Sequence, residues 1–363
     1  MGFYELLQLD PCILKPMAKS EKSKRGRLRV QAALVIRSAL IVVFATAFIA
    51  ALSHLFGSEN MPLIVGLFCV MLGTRFVDFG YRAPQAVFAL FVCFAILFFA
   101  PQLSRIAPAP LLLPLHFCLF FPMILLTCQH PEMGNAGLYA FAYIYSVGNP
   151  VPLESLPSHA AVAAIGFLIC SAVYLKKHRG KFADDTIVSK IKSFSLKNSD
   201  HLWMLRMALG TSLALAAGTW IGAARAIWIA FPFAAILSTY PYARFESKKG
   251  LQRITGAIGG SVAFLALCLV LPSDAQVLLA PLGGFFLGLS VDYKFKTAFN
   301  CFGALVLANG LFGIGESVML RICDTILGTI GGLGFMAAFH ILAKAKLPEL
   351  PDKAEPRTAI AVE

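Results

Sequence analysis

The stretch AALVIRSALIVVFATAFIAALSHLF, residues 32–56, decides the fold class. Arg37 is its only permanently charged residue. A helix needs roughly 20 predominantly apolar residues to cross a hydrocarbon layer about 30 Å thick, and this run exceeds that. It is also longer than the apolar core of a cleaved signal. The residues before it carry Lys15, Lys19, Lys22, Lys24, Arg25, Arg27 and Arg29. Basic flanks stay in the cytoplasm, so the run is expected to be a retained first transmembrane helix with residues 1–31 as a basic cytoplasmic tail.

Composition extends this reading to the whole chain. Of 363 residues, 58% are hydrophobic and only 14% charged, against about 25% charged in a soluble domain. A soluble protein still needs a wetted surface, so lipid contact is the direct explanation. The net charge of +12 fits Lys and Arg gathered in cytoplasmic loops. No basic stretch is interleaved with aromatics as a single-strand binder requires, and no nucleic-acid partner is expected. The nine cysteines form no C-x-x-C and no Cys/His set with zinc-like spacing. No metal and no cofactor is expected.

Outward from residues 32–56, five further apolar runs cover 61–77, 84–100, 111–128, 136–147 and 159–175. A basic linker, 176–201, follows. Six more runs cover 202–223, 226–242, 254–271, 275–289, 297–313 and 318–343, and a polar tail, 344–363, closes the chain. With the basic N-terminus inside, the even-numbered loops hold Arg75 and Arg82, then Gln129 to Glu132, then the basic linker, then Arg244, Lys248, Lys249 and Arg253, then Lys294 and Lys296, and finally Lys344 and Lys346. The odd-numbered loops are poor in basic residues, with Arg105 and Arg225 as exceptions. One missed helix would invert every later loop, so the pattern predicts twelve transmembrane helices with both termini cytoplasmic. The fifth and tenth runs are short enough to be tilted, broken or re-entrant.

The runs also repeat. Arg37-Ser38-Ala39-Leu40 is matched by Arg206-Met207-Ala208-Leu209, 169 residues later. Pro62 and Pro232, Arg75 and Arg244, Arg82 and Arg253, and Pro101 and Pro272 recur at offsets between 169 and 171. Two parallel six-helix halves, 32–175 and 202–343, are therefore expected, related by an axis along the membrane normal.

Ionisable residues inside apolar runs are the default functional candidates. Arg37 and Arg206 lie about one turn into their helices, where snorkelling competes with anion binding. Asp324, with Arg321 three residues before it, reads either as a local ion pair or as a carboxylate that exchanges a proton during transport. Arg225 precedes Trp228 by three residues; the ring is either an interfacial anchor or half of a cation–aromatic pair at the mouth of a pathway. Gly256/Gly260 and Gly328/Gly332 have the small-xxx-small spacing that lets helix backbones approach in lipid. No Ser/His/Asp set and no paired acids fall on one membrane face, so an enzyme is not expected.

Residues 202–340 hold Arg206-x-Ala208-Leu209, the run Ala226-Ile227-Trp228-Ile229-Ala230, Arg253-x-x-Gly256-x-x-x-Gly260, and Arg321-x-x-Asp324-Thr325-x-x-Gly328. In these motifs the segment resembles the fusaric acid resistance / aromatic acid exporter family of bacterial inner-membrane proteins. The chain has Ala257 where the family usually has Thr, and a short linker where many members carry a large cytoplasmic domain. The resemblance implies an inner-membrane exporter of aromatic or other weak organic acids, driven by the proton gradient, with a periplasmic adaptor as partner. On that reading Arg37, Arg206, Arg225, Trp228 and Arg253 meet the anion, and Asp324 and Arg321 couple the proton. The competing expectation is a non-transporting scaffold or assembly subunit whose glycine faces make homo-oligomer contacts.

Overall fold

The computed structural model describes residues 2–347 apart from Ala183 and Phe245. Most of the polar tail expected at 344–363 lies outside them. Among the described residues the secondary structure is helical, with no strand. Two short helices, α1 (Phe3–Gln8) and α2 (Pro11–Ser20), precede the long α3 (Lys24–Phe56). Then come α4 (Met61–Phe76), α5 (Ala83–Ile106), α6 (Leu112–Thr127), α7 (Ala136–Val147) and α8 (Leu156–His178). The linker holds α9 (Ile187–Lys192), followed by α10 (Ser199–Trp220), α11 (Ala226–Leu237) and α12 (Ser247–Val270). The chain continues through α13 (Ser273–Gln276), α14 (Leu279–Leu289), α15 (Tyr293–Phe312) and α16 (Ile314–Lys346).

Among the described residues, nine helical segments are long and apolar enough to cross a bilayer. The protein is a multi-pass membrane protein. Three further apolar segments are shorter: Ala136–Val147, Ala226–Leu237 and Ser273–Leu289. Every apolar run of the sequence is thus helical, but length supports nine crossings outright, not twelve. A helix of twelve residues is only about 18 Å long. The eighth run is shorter than its apolar stretch, because α11 ends at Leu237 ahead of Pro241, and the residue before a proline is biased away from helix. The tenth is broken between α13 and α14.

The chain packs as two compact units, Met1–Ala50 with Lys248–Ile326, and Ala51–Ser247 with Leu327–Glu363. In the first unit the N-terminal residues are folded. Leu6, Leu14, Ala18, Val30 and Ala33 form an apolar cluster, and Asp10 caps α2 by accepting from the Cys12 N–H at 2.8 Å. Ser38 Oγ on α3 donates to the Phe285 carbonyl on α14 at 2.6 Å. Helices α14 and α15 pack directly.

In the second unit α10 is the most buried long helix. It packs on α6 and α11; α5 lies against α6, α7 and α8, and α4 against α7 and α8. The two short helices α7 and α11 lie side by side, with Phe141 stacked on Phe231 at 5.3 Å. Buried polar groups pair across helices, as unpaired ones are costly: His116 Nδ1 is 2.9 Å from the Tyr143 hydroxyl, and His159 Nδ1 is 2.8 Å from Asn60 Oδ1.

Residues matched by the sequence repeat occupy unlike settings. Arg37 is half-buried and Arg206 fully buried. Pro62 opens α4, whereas Pro232 lies inside α11. Pro101 lies within α5, whereas Pro272 precedes α13 as its N-cap.

Candidate functional site

In the first unit, the opening turns of α16 carry a buried polar face. Ser317, Arg321, Asp324 and Thr325 stand at i, i+4, i+7 and i+8, one face of a helix, and each is at most 8% exposed. Asp324 lies ten residues past the first residue of α16, about 15 Å along the axis. Arg321 is close enough to act on it electrostatically. Asp324 Oδ2, Ser317 Oγ and Thr325 Oγ1 have no hydrogen-bond partner among the described residues. A buried carboxyl group with an unmatched oxygen, on a helix long and apolar enough to cross a bilayer, is well suited to carry a proton or meet a polar solute.

Arg253 belongs to the same unit. The sequence places it in a loop, but α12 begins at Ser247 and buries it in its second turn. Its Nη1 donates to the Tyr293 hydroxyl at 2.7 Å, and its Cζ sits 6.0 Å from the ring centroid. Lys249 Nζ is 5.5 Å from the same ring, so two cations share one aromatic. Tyr293 is a partner that no sequence spacing announces. Gly256 and Gly260 face α15: a Cβ on Gly256 would meet Thr297 and the Lys294 carbonyl, and one on Gly260 the Ala298 backbone. Arg37, also in this unit, lies half-buried on α3.

In the second unit Arg206 is 1% exposed, which rules out snorkelling. Its Nη1 donates to the Tyr242 carbonyl at 2.6 Å. Its Nη2 donates to the carbonyls of Leu237 at 3.1 Å and Thr239 at 2.9 Å. Trp203 Nε1 donates to the Thr239 carbonyl as well, at 3.0 Å. The guanidinium therefore caps the C-terminal end of α11, where carbonyls lack helical partners and cations are favoured.

At the other end of α11, Arg225 is the N-cap residue, and its Cζ lies 5.7 Å from the Trp228 ring centroid. Burial lowers the pKa of Arg225 and the nearby Tyr145 opposes that shift. Trp228 is 2% exposed, unlike an anchoring ring in an interfacial belt. Trp220, 47% exposed, has that character instead. Gly328 and Gly332 face α11: a Cβ on Gly328 would meet Ile229 and Pro232, and one on Gly332 would meet Phe233. All four candidate glycines thus pack against helices of their own chain. The structure brings Arg225 together with Trp228, and Asp324 together with Arg321, while Ser317 and Thr325 are additions legible from the helical spacing around Asp324.

The family model described as fusaric acid resistance protein-like matches residues 213–335. The match includes Arg225, Trp228, Arg253, Arg321, Asp324 and the four glycines; Arg37 and Arg206 precede it. No curated protein and no solved structure gives a significant match.

Proposed function

We propose, from the similarity of residues 213–335 to the fusaric acid resistance protein-like family, that the protein is a bacterial inner-membrane efflux permease. Its substrates are small organic acids of aromatic character, and export is coupled to proton entry. The chain would cross the membrane twelve times as two parallel halves with both termini in the cytoplasm, the short helices completing the count where the bilayer thins around them. The observation that carries the transport reading is the buried face in the opening turns of α16, where Asp324 has an unmatched oxygen.

On this reading Arg253 and Arg37 attract the anion from the cytoplasmic side. Asp324 takes a proton from the outer side and releases it inward, its ionised form held by Arg321. A protonated carboxyl is far easier to keep in hydrocarbon than a carboxylate, so the proton state of Asp324 selects which arrangement of α16 is stable. Arg225 over Trp228 offers a cation beside an aromatic face where an aromatic carboxylate leaves. Arg206, committed to the end of α11, holds the scaffold of the pathway. The scaffold-subunit alternative needs glycine faces free for other chains, and the four glycines are used internally. A periplasmic adaptor remains part of the proposal.

The test is efflux of radiolabelled fusaric acid and 4-hydroxybenzoate from loaded cells, with and without a protonophore. Wild-type export should stop when the gradient is collapsed, and Asp324→Asn should reduce gradient-driven export at least about tenfold. Protonophore-sensitive export by Asp324→Asn at the wild-type rate removes Asp324 from the mechanism. Absence of export of either acid by the wild type, relative to cells lacking the protein, sinks the substrate class.

A further inference from the structure

The basic linker is strapped across one end of the second unit. Its path is fixed by two hydrogen bonds to the start of α5: the Arg82 N–H donates to the Asp185 carbonyl at 3.1 Å, and the Ile187 N–H donates to Gln85 Oε1 at 2.6 Å. Held this way, the strap frames two adjoining recesses. One, of about 450 Å³, is lined by Arg82, Pro84, Gln85, Phe88, Ile187 and Val188. The other, of about 500 Å³, shares Arg82 and Pro84 and adds Leu175, Arg179 and Lys181.

The two recesses combine unlike surfaces. Arg82, Arg179 and Lys181 are exposed cations. Lys181 is loosely paired with Asp78 at 3.8 Å; Arg82 and Arg179 have no acidic partner within 4.0 Å among the described residues. The remaining walls are apolar, with Phe88 57% and Val188 57% exposed. The recesses lie at helix ends: Ala83 is the first residue of one helix long and apolar enough to cross a bilayer and His178 the last of another, where such helices meet the headgroups. An inorganic anion would use the cations and leave the apolar walls wet. A lipid uses both, since its phosphate meets the arginines while its chains run along Phe88 and Val188. Basic pockets between transmembrane helices suit anionic headgroups in this way.

We propose that the paired recesses hold the headgroup of an anionic phospholipid, with Arg82 and Arg179 on the phosphate and Phe88, Leu175 and Val188 against the upper acyl chains. This site shares no residue with the polar face of α16 and does not depend on the transport reading.

The test is native mass spectrometry of the full chain purified in detergent, titrated separately with phosphatidylglycerol, phosphatidylcholine and inorganic phosphate. The wild type should retain phosphatidylglycerol in preference to phosphatidylcholine. Arg82→Gln with Arg179→Gln should weaken that retention about fivefold per charge removed, while Lys22→Gln with Arg25→Gln, which removes equal charge from the N-terminal residues, should leave it unchanged. Arg179→Gln alone changes one exposed side chain at the C-cap of α8 and leaves Arg82, the N-cap of α5, in place, and serves if the double variant fails to elute as folded protein. Equal retention of the two lipids overturns the proposal. So does unchanged retention by the arginine variants, or displacement of phosphatidylglycerol by inorganic phosphate.

Discussion

Arg206 illustrates what a single side chain does here beyond its charge. Its planar fork reaches three carbonyls at the end of α11, a geometry that a lysine ammonium cannot reproduce. Arg206→Lys and Arg206→Gln should each destabilise the protein by about 2–3 kcal/mol, because buried carbonyls lose their donors. Denaturation in mixed detergent micelles reads this, and a loss confined to Arg206→Gln would show that charge alone matters. No signal in the sequence marks the role, since the carbonyls lie 31 to 36 residues away and backbone groups leave no residue signature. Asp324 and Arg321 are the opposite case: their helical spacing makes their shared face legible, and only the burial of the carboxyl needed the structure. Cys12 offers a chemical readout at the same scale. The hydrogen bond to Asp10 raises its thiol pKa, and burial adds to this. Thiolate is the reacting form, so maleimide labelling of Cys12 should be slow at neutral pH and rise as pH increases. Asp10→Asn should speed it at neutral pH, and an unchanged rate would remove Asp10 as the cause.

Among the elements, the helices themselves were readable because apolar length is so direct a signal, but their ends and packed faces were not. Arg253 reads as a loop residue because the turn before it, Ser247-Lys248-Lys249-Gly250, is polar; the helix nonetheless starts there. Helices α1 and α2 lie in a stretch that charge makes look like a plain tail, although Asp10-Pro11 is a helix-start signal. In lipid both faces of a helix are apolar, so periodicity cannot tell which one packs. Glycine spacing partly replaces it. Gly260 meets the Ala298 backbone, while a Cβ on Gly259 or Gly303 meets nothing within 4 Å. Gly260→Ala should therefore destabilise by about 1–3 kcal/mol, the range for overpacking. Gly259→Ala and Gly303→Ala should be neutral or slightly stabilising, as alanine favours helix. Equal effects at all three positions would mean that the α12–α15 approach is not tight.

At the scale of the whole molecule the loop charges and the packing speak to different things. Loop charge concerns which ends face the cytoplasm, while packing groups α4–α11 from both sequence halves in one unit. The sequence spacing suggests a repeat, but residues it matches, such as Pro62 and Pro232, stand in unlike settings, so the spacing does not carry local structure with it. Orientation has its own test. Cys12 is exposed, and in a variant keeping only this cysteine a membrane-impermeant maleimide should label it in everted vesicles and not in intact cells. Labelling of intact cells would invert the topology. The side-by-side helices α7 and α11 carry a consequence of a different kind. Each is twelve residues long, or about 18 Å, in a layer about 30 Å thick. Where water reaches both of their ends, the insulating layer is thinned. The membrane voltage would then fall over about 18 Å in place of about 30 Å, a field steeper by about 1.7-fold acting on any charge that passes between them.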